Sequence, residues 1–393
     1  MKLAFLLLLP ALLLPAGPPP PPPRTGATAL STATRREADS LRVWVSWPAA
    51  RAAPTALRFS TVAPGGRETR WPDSVTLRPA GSRLLTFTMA VAHLPAAADR
   101  LRLREPGPDA PAPTDVPVAA TAAARTRTYA LADSGGRIVT RAWVRTDEIL
   151  RPATFGLEVP LTLLRYTADF QPALPPMVTG GGGASATLTV ADTRDLSPTD
   201  TFRIRRPGLY ALRQGAAGGG SGGGALDPLL VEDGGFPDVR TAPDLIRPLI
   251  YLTTAQERQA LYDAPEPKKA TDTFWLTVAK DDPTVARALI RTYYGRVAEA
   301  NRLFTAHKPG WMTDRGMLWI VLGPPPRVDL LPDGEDWVYR DVAATSGARF
   351  RFQRRPSLFA PDHYALRRER SFEEVWYAAA GQWRQGRAVT AAR

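Results

Sequence analysis

Cysteine is absent from this sequence of 393 residues. Its absence excludes disulfide bonds, zinc sites built on thiolates and lipid attachment at an N-terminal cysteine. An apolar fraction of 44% in a chain of this length is enough to build cores without such crosslinks. We therefore expect roughly two to three domains, held together by the burial of apolar side chains.

Histidine is nearly absent as well, and His93, His307 and His363 lie far apart in the sequence. No two of them stand at the spacing of zinc ligands, and no Gly-x-Ser-x-Gly element marks a hydrolase nucleophile. The sequence thus predicts no cofactor, no metal and no evident catalytic group. One enzymatic alternative stays open, a hydrolase in which His307 and Asp314 form an acid–base pair beside Arg315.

Long apolar runs are lacking except near the start, where Lys2 precedes residues 3–14 and the small residues 15–17. A basic start, a short apolar stretch and a small-residue end are typical of a cleaved signal peptide. The stretch is shorter than the ~20 apolar residues of a spanning helix, although an uncleaved anchor is the alternative. We expect a soluble exported protein, periplasmic or extracellular, without a transmembrane segment after cleavage.

Lysine is scarce, so arginine supplies nearly all of the positive charge in a formal net charge of +12. A basic balance favours acidic partners, namely anionic lipid, anionic glycan or nucleic acid. Because the charge is dispersed along the chain, we expect most of it to be solvated surface. Export argues against nucleic acid, but residues 349–355 with Arg367, Arg368 and Arg370 leave an anionic glycan or lipid as a possible partner.

Short alternating strands occupy the first half of the chain. Apolar and polar residues alternate over 41–47, 84–89, 137–144 and 161–166, with glycine and proline clusters between such stretches. This pattern predicts antiparallel sheets with one face on a core. Further strands are predicted over residues 56–60, 74–78, 155–159, 184–190 and 203–212. We favour two immunoglobulin-like sandwiches over one elaborated sandwich.

Helices and short strands follow residue 226. Residues 253–262 predict a short helix behind a hydroxyl cap, and Asp282 followed by Pro283 predicts the start of a long one. The apolar run 317–322 predicts a central strand, because glycine and three prolines end it abruptly. Two more strands are predicted over 337–339 and 349–352, and a capping box at 371–374 predicts a last helix.

The resulting fold class is multidomain, with an all-β, sandwich-like N-terminal region and an α+β C-terminal domain. Two glycine-rich stretches, 180–183 and 215–224, lack the Gly-Lys-Ser/Thr of a phosphate loop and predict flexible connections. The predicted boundaries are a signal peptide at 1–17, a proline-rich spacer at 18–39, β domains at 40–123 and 124–213, a linker at 214–225 and the α+β domain at 226–393.

One heptapeptide, Gly310-Trp-Met-Thr-Asp-Arg-Gly316, stands between the long helix and the apolar run. With its surroundings it resembles the GWxTD domain family of exported bacterial proteins, over roughly residues 226–393. The resemblance implies that sandwich-like domains can precede this domain, and it implies no particular activity. The matching residues outside the heptapeptide are Phe236, Pro237, Tyr251, Leu252, Thr253, Thr254, Glu257, Phe274, Trp275, Tyr293, Tyr294, Arg296, Val297, Ala300, Asn301, Phe304, Gly323, Pro324, Pro325, Trp337, Val338, Tyr339, Phe350 and Phe352.

Residues 316–325 with 337–339 are also similar to the small outer-membrane assembly lipoproteins related to SmpA, which share a Gly-Met start, a Leu-Gly-x-Pro turn and a Trp-x-Tyr strand. The lipidated cysteine of those proteins is missing. This similarity implies a role in the cell envelope.

The motif has two interpretations. As a structural corner, Asp314 and Gly316 supply turn chemistry and Trp311 locks the loop onto the helix. As a binding site, Asp314 and Arg315 face a groove and bind a polar ligand or a chain terminus. The candidate residues are Gly310, Trp311, Thr313, Asp314, Arg315 and Gly316, supported by Asn301, Gly323, Pro324, Trp337 and Tyr339. We expect a non-enzymatic envelope binding or assembly protein that contacts other envelope proteins through this domain. The alternatives are the hydrolase and an adhesin for anionic glycan or lipid.

Overall fold

The computed structural model describes residues 30–389, apart from the gaps 48–52, 55, 64–66, 71–74, 95–99, 107–112, 118–126, 156–159, 180–187, 216–225, 332, 341, 344 and 361–362. The predicted signal peptide, the proline run and both glycine-rich stretches therefore lie wholly or almost wholly outside the described residues. Within the described residues, no helix is long and apolar enough to cross a membrane.

Two four-stranded antiparallel sheets form the first unit. The first sheet has the order β1 (Ser31–Glu37), β2 (Ser40–Ser46), β6 (Leu84–Ala90) and β5 (Arg78–Gly81). The second has the order β4 (Glu68–Arg70), β3 (Arg58–Val62), β7 (Arg100–Arg104) and β8 (Thr114–Pro117). Val43 and Phe87 of the first sheet share one buried cluster with Phe59 and Leu101 of the second. The two sheets are therefore a sandwich.

The predicted spacer is wrong over its last residues, because Ser31–Glu37 is β1 and pairs with β2 along its whole length. Polar residues dominate this strand, and buried Glu37 accepts hydrogen bonds from Arg35 and Arg42. A search for apolar alternation misses such a strand. The strand predicted over 74–78 is also wrong, since the structure gives residues 75–77 no strand and β5 begins at Arg78.

A five-stranded sheet and a two-stranded sheet form the second unit. The larger sheet has the order β10 (Trp143–Arg145), β15 (Leu226–Glu232), β14 (Gly208–Gln214), β12 (Leu161–Thr167) and β13 (Thr189–Leu196). The smaller pairs β9 (Tyr129–Asp133) with β11 (Leu150–Thr154). Tyr129 and Leu150 of the smaller sheet pack with Leu163 and Leu212 of the larger one. Again the core lies between two sheets.

Strand β15 corrects the predicted start of the C-terminal domain at residue 226. It pairs antiparallel with β14 and parallel with β10, inside the sheet of the second unit. The strand predicted over 137–144 is shorter in the structure, because a turn and a bridge precede Trp143. The one predicted over 203–212 begins only at Gly208.

Helices dominate the rest of the chain: α1 (Ala242–Ile246), α2 (Ala255–Asp263), α3 (Pro267–Val278), α4 (Pro283–Phe304), α5 (Asp314–Leu322) and α6 (Glu373–Arg384). One antiparallel sheet has the order β16 (Arg327–Leu331), β17 (Gly334–Tyr339), β18 (Ala348–Arg354) and β19 (Tyr364–Leu366). As predicted, Asp282 caps α4, because its side chain accepts hydrogen bonds from the N–H groups of Thr284 and Val285. The predicted fold class, β sandwiches followed by an α+β region, is confirmed.

The strand predicted over 317–322 is wrong, because these residues belong to α5. All six side chains are buried, at 0–1% exposure. A helix buried on every face shows no polar–apolar period, so a short apolar run cannot be told from a strand. The last helix lies where the sequence predicts it, but the capping box predicted at 371–374 does not form. It follows a 3-10 turn, and Phe372 at its N-cap makes no side-chain hydrogen bond.

Candidate functional site

The GWxTD heptapeptide forms a corner between α4 and α5. Gly310–Met312 is a single 3-10 turn, and Thr313 caps α5. The Thr313 hydroxyl donates to the Gly310 carbonyl at 2.7 Å and accepts from the Gly316 N–H at 3.1 Å. One buried hydroxyl thus joins the two glycines of the motif and fixes the direction in which α5 begins.

Both glycines are required by close packing of the main chain. A Cβ atom on Gly310 would lie 1.9 Å from the carbonyl oxygen of Ala300 in α4. A Cβ atom on Gly316 would lie 1.9 Å from the carbonyl oxygen of Gly310. The 3-10 turn is therefore held between two helices at a distance that leaves no room for a side chain.

Buried polar groups fix the turn from two sides. The Asn301 side chain accepts from the Trp311 N–H at 3.1 Å and donates to the Pro237 carbonyl at 3.0 Å. The Tyr251 hydroxyl donates to the Trp311 carbonyl at 2.8 Å, and its burial raises the pKa of this hydroxyl well above the usual range. The Trp311 indole is itself buried, at 8% exposure. The N–H and the carbonyl of Trp311 therefore each have a hydrogen-bond partner.

Asp314 and Arg315 point to different partners. Asp314 is 8% exposed, and its carboxylate accepts from the Leu366 N–H at 2.8 Å and from the Arg368 guanidinium. The Arg315 guanidinium lies 3.6 Å from Glu335 and against the rings of Phe304 and Tyr364. The two adjacent charges of the motif are thus each neutralised by an opposite charge.

The supporting residues divide into two groups. Asn301 belongs to the corner, whereas Gly323, Pro324 and Tyr339 lie at the other end of α5, where the Tyr339 hydroxyl donates to the Gly323 carbonyl at 2.7 Å. Trp337 packs against Phe304 at 5.7 Å between ring centroids. These residues position α5, but the structure does not bring Gly323, Pro324 or Tyr339 to Asp314.

His307 and His363, far apart in sequence, meet beside the corner with ring centroids 5.0 Å apart. Burial, the neighbouring His363 and Lys308 lower the pKa of His307 to about 3. Burial likewise lowers the pKa of His363 to about 4, although Asp314 opposes this shift. Both rings are therefore neutral near pH 7. In the described part of the chain, no hydrogen bond joins His307 to Asp314.

A connection of the second unit lies on the corner. Residues 168–179, here called the strap, begin the connection that follows β12 and form no part of its sheet. Three strap carbonyls accept hydrogen bonds from the C-terminal domain, and one strap N–H donates to it. These bonds are Lys308 to Gln171 at 2.9 Å, Arg368 to Leu174 at 3.2 Å, the Glu369 N–H to Pro176 at 3.2 Å and the Ala173 N–H to the Met312 carbonyl at 2.9 Å.

The strap and the role of Arg368 are not evident from the sequence. The strap contains Pro172, Pro175 and Pro176 between two predicted strands, which marks a rigid extended connection. That pattern alone does not show where the connection lies. The sequence predicts Arg368 in a basic patch, whereas the structure places it between the Asp314 carboxylate and the Leu174 carbonyl.

The predicted basic patch is largely neutralised. Arg349 bridges Asp329 and Asp336 at 3.1 Å each, and Arg351 pairs with Asp333 at 2.8 Å. Phe350 and Phe352, which alternate with these arginines in β18, are fully buried. Among the residues that the structure describes, no three His, Asp or Glu side chains are grouped to hold a metal ion.

A cleft of about 870 Å³ opens beside the corner, where the two β units and the C-terminal domain meet. On the side of the cleft that the C-terminal domain forms, the lining includes Arg315, Tyr364 and Leu358. Trp311 and Asp314 are not among its lining residues. Of the two charged residues of the motif, Arg315 lines this cleft and Asp314 does not.

Comparison with protein families places residues 208–385 in the GWxTD domain. This match confirms the resemblance seen in the C-terminal part of the sequence, and it extends upstream to β14. No curated protein matches the chain. The structure is similar to the crystal structure of native alpha-2-macroglobulin from Escherichia coli spanning domains MG0-NIE-MG1, with 10% identity, a TM-score of 0.16 and coverage of 52% of this chain and 71% of that chain. A TM-score this low supports no conclusion about this chain.

Proposed function

We propose that the protein is an exported binding or assembly protein of the cell envelope, which contacts other envelope proteins through its GWxTD domain. One observation carries the proposal: the polar groups around the motif bind the main chain of another segment. Lys308, Arg368 and the N–H of Glu369 all donate to strap carbonyls. A surface with this chemistry is suited to polypeptide ligands.

The hydrolase alternative has less support in the geometry. Its carboxylate, Asp314, is held by Arg368 and a main-chain N–H. Its base, His307, has a pKa of about 3, far below the value near the working pH that suits a general base. The adhesin alternative depends on free arginines, and several of those in the predicted patch are paired with carboxylates.

Site-specific photo-crosslinking tests the proposal in cells that export the protein. A crosslinking amino acid replaces Leu174 or Arg367, which are exposed beside the corner, and separately Val190, an exposed control on β13. We expect both corner positions to capture the same envelope protein and Val190 not to capture it. N-terminal sequencing of the mature chain from the envelope fraction checks cleavage near residue 17.

Crosslinks that are absent at the corner, or equal at Val190, would count against the proposal. Washing at rising salt before irradiation separates the adhesin alternative. An anionic surface bound through arginines should be lost steeply as salt screens the charges. Capture through the corner should persist, because its contacts are hydrogen bonds to main chain.

A further inference from the structure

The strap contacts the neighbouring domain through hydrogen bonds of its main chain. Residues 168–175 form no helix or strand, yet Pro176 is buried and Ala173 and Met177 pack against the C-terminal core. Phe170 packs edge-on against His307, with ring centroids 4.8 Å apart. The strap thus lies on the corner in the manner of a bound peptide.

We propose that the GWxTD corner is a binding site for an extended, proline-containing polypeptide, that the strap occupies it as an intramolecular ligand, and that a segment of a partner protein with the same chemistry replaces the strap. The inference rests on the proposed function, and it names the surface and the class of ligand.

The pattern of hydrogen bonds specifies this class of ligand. Three of the four bonds are accepted by strap carbonyls, and only Ala173 donates an N–H. Proline has no N–H, so it fits at the positions that only accept or make no bond. Pro172 and Pro175 flank the pair Ala173-Leu174, and Pro176 accepts from the Glu369 N–H. Proline also keeps a segment extended before binding, which lowers the entropy cost of binding.

Part of the strap is exposed to solvent. Leu174 and Val178 are 39% and 37% exposed, so its apolar side chains are not a closed core. Contacts made mainly through main-chain atoms accept other side chains in the same conformation. In the intact chain the strap has the advantage of a high effective concentration, so a free peptide competes poorly until the strap is weakened.

Peptide binding to the full-length protein tests the proposal. The probe is a fluorescein-labelled peptide with the sequence of residues 168–179, followed by fluorescence anisotropy. The variant Phe170→Ala/Ala173→Pro removes the aromatic anchor and the one N–H donor of the strap. We expect this variant to bind the peptide at least tenfold more tightly than the wild type, and a scrambled peptide to bind neither. Adding Arg368→Ala to the variant should weaken binding by at least fivefold.

A folded strap variant that binds the peptide no better than the wild type overturns the proposal. If the double variant does not fold, Phe170→Ala alone carries the same test, because it leaves the main-chain hydrogen bonds in place. Its expected gain is about threefold, and no gain again overturns the proposal. Peptide binding without any crosslinked envelope protein would keep the ligand site and reject the proposed function. A captured envelope protein without peptide binding would keep the proposed function and reject the ligand site.

Discussion

The first sandwich and the GWxTD domain bury their cores in different ways. Val43, Phe87 and Leu101 represent a mainly aliphatic core that lies between paired strands. In the GWxTD domain, buried tyrosines and tryptophans also donate to main-chain carbonyls. These bonds are Tyr251 to Trp311, Tyr293 to Pro248, Tyr294 to Leu245, Tyr339 to Gly323 and Trp383 to Val321. The sandwich requires apolar residues at alternate positions. The GWxTD domain also requires hydroxyl and indole N–H groups placed where they can donate to main-chain carbonyls.

The largest expected effect is that of Gly316→Ala, which tests whether the corner tolerates any side chain. One extra methyl group in a packed core costs about 1–3 kcal/mol, and here it meets a main-chain oxygen. We expect a loss of more than about 3 kcal/mol in urea unfolding. Gly295→Ala is the matched control, because a Cβ atom on this exposed helical glycine meets nothing within 4 Å. It should stabilise the protein by about 0.5–1 kcal/mol.

Asp314→Asn separates a structural carboxylate from a binding carboxylate. Removing one partner of a buried ion pair costs about 3–5 kcal/mol, and asparagine retains one acceptor, so we expect a loss of about 2–4 kcal/mol. Asp272→Asn, in an exposed pair with Lys268, should cost less than about 1 kcal/mol. Thermal unfolding measures both. An unchanged melting temperature together with loss of partner capture would instead favour a ligand site at Asp314.

The pH dependence of stability isolates the histidine pair. The folded pKa values of about 3 and 4 lie below the ordinary value of 6.5, so the unfolded chain binds more protons between these limits. Stability should therefore fall as the pH decreases from about 6.5 towards 4. Lys308, Asp314 and Arg315 also act on the pair, so the comparison is with His307→Asn/His363→Asn. Relative to this variant, the wild type should lose about 2 kcal/mol between pH 7 and 5.5. Parallel curves would contradict the burial of the rings.

The smallest effect concerns one hydroxyl in each region. Tyr251→Phe leaves the Trp311 carbonyl without this donor and should cost about 1 kcal/mol in chemical denaturation. In the first sandwich, Thr86→Val removes a buried hydroxyl that donates to the Val43 carbonyl at 2.9 Å. Valine regains stability through packing and strand preference, so the net change should be near zero. Equal losses of stability for Tyr251→Phe and Thr86→Val would contradict the proposal that the GWxTD domain depends more on such hydrogen bonds than the first sandwich does.

Much of the fold could be predicted because local patterns agree with it. Alternation located β2, β6 and β12, and the pair Asp282-Pro283 located the start of α4. Sequence patterns fail to predict an element when complete burial or a polar composition removes the alternation of apolar and polar residues. The helix α5 is buried on all sides from Gly316 to Leu322, and β1 is mainly polar. The residues of the corner stand out in the sequence. Its packing, however, depends on the close approach of Gly310 to Ala300 in α4, which no spacing in the sequence gives. The strap could not be assigned, because its contacts join residues more than 130 positions apart.

Strand β15 determines where this chain can be divided. It lies between β10 and β14, although the next residues lead directly into the helices of the GWxTD domain. A shortened chain that begins at Leu226 would carry one lone strand and would leave the five-stranded sheet split in two. The reverse cut would also strip the strap from the surface on which it lies. The second β unit and the GWxTD domain are therefore linked through β15, and a cut at residue 226 should disrupt the sheet of the second unit.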